Sequence, residues 1–265
     1  MAAKIGFIGA GNMGFALISG LIEKGVLDAA QIAVYDAGEA ALARAAAAGC
    51  AACGSVEELA RSSEIVLAAI KPQVAPSVFE QIGPHLSGKL LVSIVAGTDT
   101  ASIKSYLGND AVRVLRIMPN TPAMVGEGVF GMNADSDALP DEKQLVEAWL
   151  KNLGITVWIG ENLFPIITSL PGGGPAFVAM FVEAMADGGV LGGLRRDDAI
   201  RIAAQTVLGS AKLMLEKNIH PAVLKDMVCS PAGTTIEGVA ALEEGAFRST
   251  VMSAVEAAMI KAENM

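Results

Sequence analysis

Three glycines near the beginning of the chain have the spacing of a dinucleotide-binding loop. Gly9-Ala10-Gly11-Asn12-Met13-Gly14 follows the first apolar run and precedes the first helical pattern. In that context, G-x-G-x-x-G holds a pyrophosphate on the free N–H groups of a helix N-terminus. The alternative is a glycine-rich turn without a ligand.

An acidic residue supports the dinucleotide interpretation. Asp36 lies 22 residues beyond Gly14 and follows the second apolar run. At that position a carboxylate accepts a hydrogen bond from the ribose 2′-hydroxyl of NAD. We therefore predict an NAD(P)H site, with a preference for NADH. The predicted cofactor-binding residues of this loop are Gly9, Ala10, Gly11, Asn12, Met13, Gly14 and Asp36.

Two later loops also follow apolar runs, at the sheet edge where open α/β sheets bind ligands. They are Ala69-Ile70-Lys71-Pro72 and Ala96-Gly97. Pro72 disfavours a helical conformation at Lys71 and so keeps the first loop extended. A single loop lysine is commonly just solvated, but this position favours cofactor contact. The six further predicted cofactor-binding residues are Ala69, Ile70, Lys71, Pro72, Ala96 and Gly97. The stiff segment Met118–Pro122 is predicted to lie on the same rim.

A second stretch that could bind a ligand lies near the C-terminal end of the chain. Ser230-Pro231 begins a loop, and Thr234-Thr235-Ile236-Glu237 has the pattern of a helix start. The N–H groups of Gly233 and Thr234 at such a start favour a small anion, for instance a substrate carboxylate. An ordinary Ser/Thr cap between two helices is the alternative.

Short apolar runs alternate with helical patterns over the first 160 residues. The runs are continuous, as in strands buried on both faces of a parallel sheet. Gly25 and Gly49 follow helical patterns, where glycine commonly ends a helix. The predicted strands are Lys4–Ile8, Gln31–Tyr35, Glu64–Ile70, Leu90–Val95, Ala111–Ile117 and Ile155–Ile159. The alternation predicts an α/β fold, a doubly wound Rossmann-type domain over residues 1–160.

The pattern after Gly160 is helical throughout. Phe177–Val190, Asp197–Lys217 and Ser249–Ala262 contain helix formers, and their apolar residues cover more than one stripe, which predicts burial on most sides. A domain of 105 residues cannot bury such helices by itself. We therefore predict an all-helical dimerisation and substrate-binding domain over residues 161–265, and a homodimer.

The composition excludes several classes of protein. With 19 basic and 28 acidic residues the net charge is −9, which argues against a nucleic-acid partner. Hydrophobic residues form 52% and charged residues 18% of the chain, the opposite of a disordered protein. Glycines and prolines interrupt the apolar stretches 5–22 and 162–182, so we predict no membrane span. Three cysteines and two histidines fit a reducing, cytoplasmic location and predict no metal site.

Taken together, these motifs resemble those of the pyrroline-5-carboxylate reductases, which make proline. The resemblance covers nearly the whole chain. Its most specific part runs from Pro221 through Leu224, then through Val228-Cys-Ser-Pro-Ala-Gly-Thr-Thr-Ile-Glu-Gly-Val to Leu242-Glu243. The other segments that carry it are Ile5–Gly14, Lys71-Pro72, Met118–Pro122, Gly174–Phe177, Ala186–Val190 and Gly245–Ser249.

The resemblance implies a Rossmann domain followed by helices that interlock with a partner subunit, and in this family dimers commonly assemble into larger rings. It also implies a substrate pocket, in which Thr235 is the catalytic residue beside the imine nitrogen. The substrate-binding residues so implied are Ser230, Gly233, Thr234 and Thr235.

The chain departs from the family pattern at several positions that bear on substrate contacts and not on the reaction class. Pro171-Gly-Gly-Gly-Pro175 replaces the usual Ser-Gly-Ser-Gly-Pro and lacks its two hydroxyls. Met227 stands where an asparagine-type contact is expected, and Ala232 replaces a second glycine. Asp36 differs from the residue of members that prefer NADPH.

The reaction implied is hydride transfer from NAD(P)H to C5 of 1-pyrroline-5-carboxylate, which gives L-proline. A ketone reductase needs a placed acid, whereas a cyclic imine can arrive protonated, and this chain has few candidate acids. Two alternatives remain. A 3-hydroxyacid dehydrogenase would carry a lysine four residues after Gly174, where this chain has Val178. A non-catalytic dinucleotide-sensing dimer would bind cofactor without turnover.

Overall fold

The computed structural model describes residues 3–264. Its strands are β1 (Ala3–Ile8), β2 (Ile32–Tyr35), β3 (Ala51–Ala52), β4 (Ser63–Ala68), β5 (Leu90–Ser93), β6 (Arg113–Met118), β7 (Gly128–Asn133) and β8 (Gly154–Ile159). They form one sheet in the order β3-β2-β1-β4-β5-β6-β7-β8. Neighbouring strands are parallel except for β6 and β7, which are antiparallel. The predicted doubly wound sheet is confirmed.

Helices connect the strands and then form the rest of the chain. They are α1 (Asn12–Glu23), α2 (Glu39–Ala47), α3 (Val56–Ser62), α4 (Ala75–Ile82), α5 (Thr100–Leu107), α6 (Pro140–Leu150), α7 (Phe164–Ile167), α8 (Gly174–Leu191), α9 (Arg196–Lys217), α10 (Pro221–Val228), α11 (Thr234–Glu244) and α12 (Phe247–Glu263). A π-helical segment, Thr168–Gly173, joins α7 to α8. No strand follows β8 in the described part of the chain, so the predicted helical second half is confirmed.

The sheet is buried on both faces by apolar side chains. One face packs Phe7 and Phe130 into a large cluster with α1 and α6 residues, and the other packs Phe79 among residues of α3, α4 and α5. Apolar residues after the strand ends, such as Ile70 and Val95, also belong to the second cluster. For this reason the predicted strands 64–70 and 90–95 run about two residues past the observed ends of β4 and β5.

Sequence patterns did not reveal β7, because its glycines are typical of turns. Both glycines are needed where the strand is closely packed. A Cβ at Gly128 would lie 2.8 Å from the Ala123 Cβ, and a Cβ at Gly131 would lie 2.5 Å from a methyl group of Ile167. Tight packing, and not chain reversal, therefore accounts for these two glycines.

The chain forms two compact units. The first runs up to Gly172 and includes the segment from Ala258, and the second comprises Gly173–Ala257. The predicted domain boundary at residue 160 remains a prediction. Within the second unit, the buried cluster of the described residues contains Ala186, Ala199 and Ala203.

One helical stretch of the described chain, Glu161–Leu191, is long and apolar enough to cross a membrane, with 31 residues and a mean hydropathy of 1.4 over an 18-residue window. Its prolines do not interrupt it, contrary to our expectation from the sequence. Pro165 and Pro175 lie in the first turns of α7 and α8, and Pro171 lies in the π-helical segment. Proline is tolerated in a first turn because the N–H there has no helical acceptor.

Candidate active site

The three glycines of the first loop have three different surroundings. Gly9 has φ +97°, and a Cβ there would overlap the Ala69 carbonyl oxygen. A Cβ at Gly14 would overlap the Gly9 carbonyl oxygen, whereas a Cβ at Gly11 would have no atom within 4 Å. Gly9 therefore permits the turn and Gly14 the close packing, and Gly11 leaves open space for a ligand to approach the backbone.

The beginning of α1 is suited to an anion. Gly11 is its N-cap residue and makes no side-chain capping bond, so the first N–H groups of the helix have no partner from a cap. The Asp36 carboxylate lies beside the loop, where it accepts hydrogen bonds of 2.7 Å from Ala10 N–H and 2.7 Å from Gly38 N–H. Open space, free donors and an adjacent carboxylate together fit a dinucleotide.

A basic residue that the sequence analysis missed also contacts this loop. The Arg44 Nη2 atom donates to the carbonyl oxygens of Ala10 at 2.6 Å and Gly11 at 3.4 Å. The guanidinium carbon lies 4.2 Å from the centre of the Phe15 ring. Arg44 lies on α2, eight residues after Asp36 in the sequence, and its side chain reaches back to the loop. A basic residue on the helix that follows the acidic position was the available sequence signal.

The rim loops follow the sheet edge as predicted. Lys71 is exposed and extended, with φ −72° and ψ 146°, and precedes the short 3-10 helix Pro72–Val74. A cavity of about 640 Å³ is lined by Pro72, Ala96 and Gly97 among other residues. Three of the predicted cofactor-binding residues therefore line one cavity.

A buried polar cluster forms part of the wall of this cavity. Arg116 is 7% exposed; its Nη1 lies 3.2 Å from Glu161 Oε1 and its guanidinium 4.2 Å from the centre of the Phe164 ring. Burial lowers the pKa of Arg116, and the hydrogen bond to Glu161 opposes that shift. Glu161 also accepts from Thr100 N–H at 2.8 Å and from Asn133 Nδ2 at 2.8 Å. These bonds fix the position of the Glu161 carboxylate.

The stiff segment after β6 is held by an asparagine. Asn120 is buried; its Nδ2 donates to the Pro171 carbonyl oxygen at 3.0 Å, and its Oδ1 accepts from Val129 N–H at 2.8 Å. The side chain therefore ties the π-helical segment to β7. Pro171 replaces the serine that is usual in the family, but the hydrogen bond from Asn120 goes to the backbone carbonyl oxygen, which proline retains.

In the second unit, the loop before α11 is a tight turn. Gly233 N–H donates to the Ser230 carbonyl oxygen at 3.0 Å, and Ala232 has φ +52°. Proline at the second position and positive φ at the third are features of a type II turn. The positive φ at position 232 explains why the family usually has glycine there, because glycine adopts positive φ without strain. A Cβ at Gly233 would overlap the Ser230 hydroxyl.

The beginning of α11 corrects two expectations. The N–H of Gly233 is used by the turn and is not free for an anion, so this capacity lies with Thr234 and Thr235, the first residues of the helix. Gly233 is the N-cap residue and no side chain caps the helix, so the Ser/Thr cap alternative does not describe it. Among the described residues, the half-buried Thr235 hydroxyl has no hydrogen-bond partner.

An apolar groove lies on the same unit, between α8 and α12. We call it the α8–α12 groove; it is about 790 Å³ in volume. Phe181 and Phe247 line it, with ring centres 5.8 Å apart, and Met180 beside them is 69% exposed. An apolar surface of this kind marks an interaction site.

Two family models match the chain. Residues 161–265 match the model described as pyrroline-5-carboxylate reductase dimerisation. Residues 4–97 match the model described as NADP oxidoreductase, coenzyme F420-dependent.

Individual relatives match the whole length. The chain is 41% identical to the pyrroline-5-carboxylate reductase of Escherichia coli over 100% of this chain and 99% of the relative. It is also 41% identical to that of Methanosarcina acetivorans over 95% and 94%. Among solved structures, the Plasmodium falciparum pyrroline carboxylate reductase with NADP bound has a TM-score of 0.89 at 34% identity, over 99% of this chain and 97% of that one.

A hydroxyacid dehydrogenase is a much more distant match. Mycobacterium tuberculosis 3-hydroxyisobutyrate dehydrogenase has 17% identity and a TM-score of 0.53 over 72% of this chain and 65% of that one, which shows a shared fold alone. The full-length identities decide between the two families. The chain belongs to the pyrroline-5-carboxylate reductases, the oxidoreductases that convert 1-pyrroline-5-carboxylate to proline with NAD(P)H.

Proposed function

We propose that this chain reduces 1-pyrroline-5-carboxylate to L-proline, with the substrate bound at the beginning of α11. The observation that carries the proposal is that the Thr235 hydroxyl and the first N–H groups of α11 have no partner from a side-chain cap in the described chain. These groups lie within the motif that is most specific to the family. The carboxylate of a small protonated imine would accept from the N–H groups, and its ring N–H would donate to the Thr235 hydroxyl oxygen.

Each part of the site has a separate task. The Gly9–Gly14 loop, Asp36 and the two rim loops would hold the dinucleotide, whose nicotinamide supplies a hydride when bound. The N–H groups of Thr234 and Thr235 would bind the substrate carboxylate, and the Thr235 hydroxyl would hold the ring nitrogen. Ser230 and Gly233 shape the turn on which these donors depend.

Little acid–base machinery is needed for this reaction. Reduction of a protonated imine leaves a neutral amine, so no proton has to arrive with the hydride. The residues around Thr235 accordingly need to orient the substrate and not to donate a proton. Positioning of this kind brings much of the rate enhancement when two reactants are held in line.

The α8–α12 groove would be covered by a second copy of the chain. This assignment agrees with the dimerisation model that matches residues 161–265, and it gives the apolar Glu161–Leu191 stretch a protein partner instead of lipid. We propose a cytoplasmic homodimer, with rings of dimers as the larger assembly. Its partner is a small-molecule substrate, and neither nucleic acid nor a metal takes part.

Turnover is tested by mixing the protein with pyrroline carboxylate and NADH or NADPH and following the loss of reduced nicotinamide absorbance. Oxidation of cofactor that requires the imine supports the proposal. Cofactor binding without turnover would instead indicate a dinucleotide-sensing dimer.

A shared site is tested with mixed dimers. We propose that Thr235 of one subunit acts on cofactor held by the Gly9–Gly14 loop of the other. A heterodimer of a Gly11→Asp subunit and a Thr235→Ala subunit then retains one working site, about half the wild-type activity. A fully inactive heterodimer would contradict this arrangement.

A further inference from the structure

We propose that Arg44 binds the 2′-phosphate of NADPH, so that the site accepts the phosphorylated cofactor although a carboxylate occupies the ribose position. The inference rests on the proposed cofactor site and adds a residue that determines cofactor specificity.

The position of Arg44 is fixed by contacts within the first unit. Its Nη2 donates to Ala10 O at 2.6 Å and to Gly11 O at 3.4 Å. The guanidinium lies over the Phe15 ring at 4.2 Å, a stacking arrangement that favours arginine over lysine. Although its side chain is exposed, Arg44 is therefore held at the glycine loop.

Asp36 and Arg44 bind opposite ends of the same residue. Ala10 N–H donates to Asp36 Oδ2 at 2.7 Å, and Ala10 C=O accepts from Arg44. Asp36 is at the position that binds the ribose 2′-oxygen in this type of loop. Because both side chains contact Ala10, a phosphate on that oxygen would bind next to the loop residue that the guanidinium contacts.

The charge of Arg44 remains available. In residues 3–264 no carboxylate lies within 4.0 Å of its guanidinium, and its Nε and Nη1 atoms make no hydrogen bond there. The Asp36 carboxylate, in contrast, already accepts two backbone N–H groups. A phosphate would therefore meet an unpaired cation beside a carboxylate whose charge is partly offset.

Equilibrium binding of two fragments isolates the 2′-phosphate. Adenosine 2′,5′-bisphosphate carries it and adenosine 5′-monophosphate lacks it; neither can react. Calorimetry with each fragment, and fluorescence titration with NADPH and NADH, would be run on the wild type and on Arg44→Gln, Arg44→Lys and Arg61→Gln. Arg61→Gln removes the same charge from an exposed site on α3 and is the matched control.

We expect Arg44→Gln to raise the Kd for the bisphosphate and for NADPH about 10- to 100-fold, the loss of one charged hydrogen-bonding group. The Kd values for the monophosphate and NADH should change less than about twofold. Arg44→Lys should lie between wild type and Arg44→Gln for the two 2′-phosphate ligands, and Arg61→Gln should match the wild type. Unchanged melting temperatures confirm that the variants are folded.

Three outcomes overturn the proposal. If Arg44→Gln weakened the binding of all four ligands equally, Arg44 would contact the diphosphate or maintain the shape of the loop. If no Kd changed, Arg44 would not take part in cofactor binding. Failure of the wild type to bind any ligand would contradict the cofactor site itself. Because binding requires no imine, absence of proline formation would refute the proposed reaction and leave the Arg44 result intact.

Discussion

The two compact units differ in what they bury. The first buries large side chains such as Phe7, Phe79 and Phe130 completely, and each contributes about 1.5–3 kcal/mol to folding. The second buries mainly alanines, while Phe181 and Met180 remain exposed. The interior of the first unit can therefore fix the Gly9–Gly14 loop by itself. In the proposed dimer, the second unit and the loop before α11 would depend on the partner surface that covers the α8–α12 groove.

The strongest test of this difference places a charge in the groove. Phe181→Glu puts a carboxylate on an interface that would lose all contact with water, at a cost of several kcal/mol. We expect the variant to be monomeric in light scattering at micromolar concentration, with the 27.1 kDa mass of one chain, and to lose nearly all activity. The wild type should show at least twice that mass.

Gln205→Glu is the matched control, because it adds the same charge at an exposed polar position of α9. It should keep the wild-type mass and activity. A Phe181→Glu protein that remains a dimer would show that the groove is not the interface.

The first unit is tested at two neighbouring glycines with opposite surroundings. Gly14→Ala places a Cβ against the Gly9 carbonyl oxygen and should lower the free energy of unfolding by about 2–4 kcal/mol. Gly11→Ala meets no atom within 4 Å, so its cost should stay below about 1 kcal/mol. Cofactor affinity should nevertheless fall at least about tenfold, because the Cβ occupies the space of the diphosphate.

Thermal unfolding and cofactor titration on both glycine variants separate the two effects. If Gly11→Ala bound cofactor with wild-type affinity, the open space at this position would not be the diphosphate site.

In the second unit, Thr235→Ala should lower kcat/KM about 10- to 100-fold, because it removes a hydrogen bond worth about 1.5–3 kcal/mol to the charged imine. Stability should hardly change, since Gly233 and not Thr235 is the helix cap. Thr235→Ser keeps the hydroxyl and should retain most activity. A Thr235→Ala protein with a lower melting temperature and normal turnover would refute the catalytic assignment.

The preference between NADH and NADPH depends on the opposite charges of Asp36 and Arg44. We expect wild-type kcat/KM to be higher with NADH, because the Asp36 carboxylate repels a 2′-phosphate. Asp36→Asn should raise the NADPH-to-NADH ratio of kcat/KM about tenfold. An unchanged ratio would mean that Asp36 does not face the ribose.

The smallest expected effect concerns an ion pair between elements of the first unit. Glu142 accepts two hydrogen bonds from Arg113 at 2.6 and 2.8 Å. Burial alone would raise the pKa of Glu142, but the bonds from Arg113 and Leu139 N–H outweigh it, and the pKa lies below its usual range. The stabilisation is therefore present above the ordinary glutamate pKa of about 4.3 and lost as the pH falls through the lower folded value.

Glu142→Gln should lower stability by about 1 kcal/mol at pH 7, and this difference should vanish in acid. Melting curves from pH 7 to pH 3 measure it, with Glu80→Gln, an exposed residue without an ion pair in the described chain, as the control. A difference of the same size at pH 7 and at pH 3 would show that packing and not charge is responsible.

Sequence patterns were informative where one element determines the geometry. The Gly9–Gly14 loop could be assigned because turn, helix start and close packing each require a particular residue within six positions. Arg44 could not, since its contacts to the loop span more than 30 residues and depend on how α2 packs against α1. Strand β7 was not predicted, because the side chains that its two glycines accommodate, Ala123 and Ile167, are unknown before the fold is known.

The left-handed backbone at Ala232 has a consequence for how the loop before α11 would respond to the proposed substrate. An alanine in this region is disfavoured by about 1–2 kcal/mol relative to its ordinary conformations, and Ala232 is exposed. Without outside contacts, the turn that presents the α11 donors would thus be a minor member of an ensemble. A ligand that binds only this conformation has an apparent affinity reduced by the fraction of molecules that adopt it, here about 5- to 30-fold. At the proposed substrate site, the alanine would make loop ordering part of substrate binding, whereas a glycine would keep the competent shape populated beforehand.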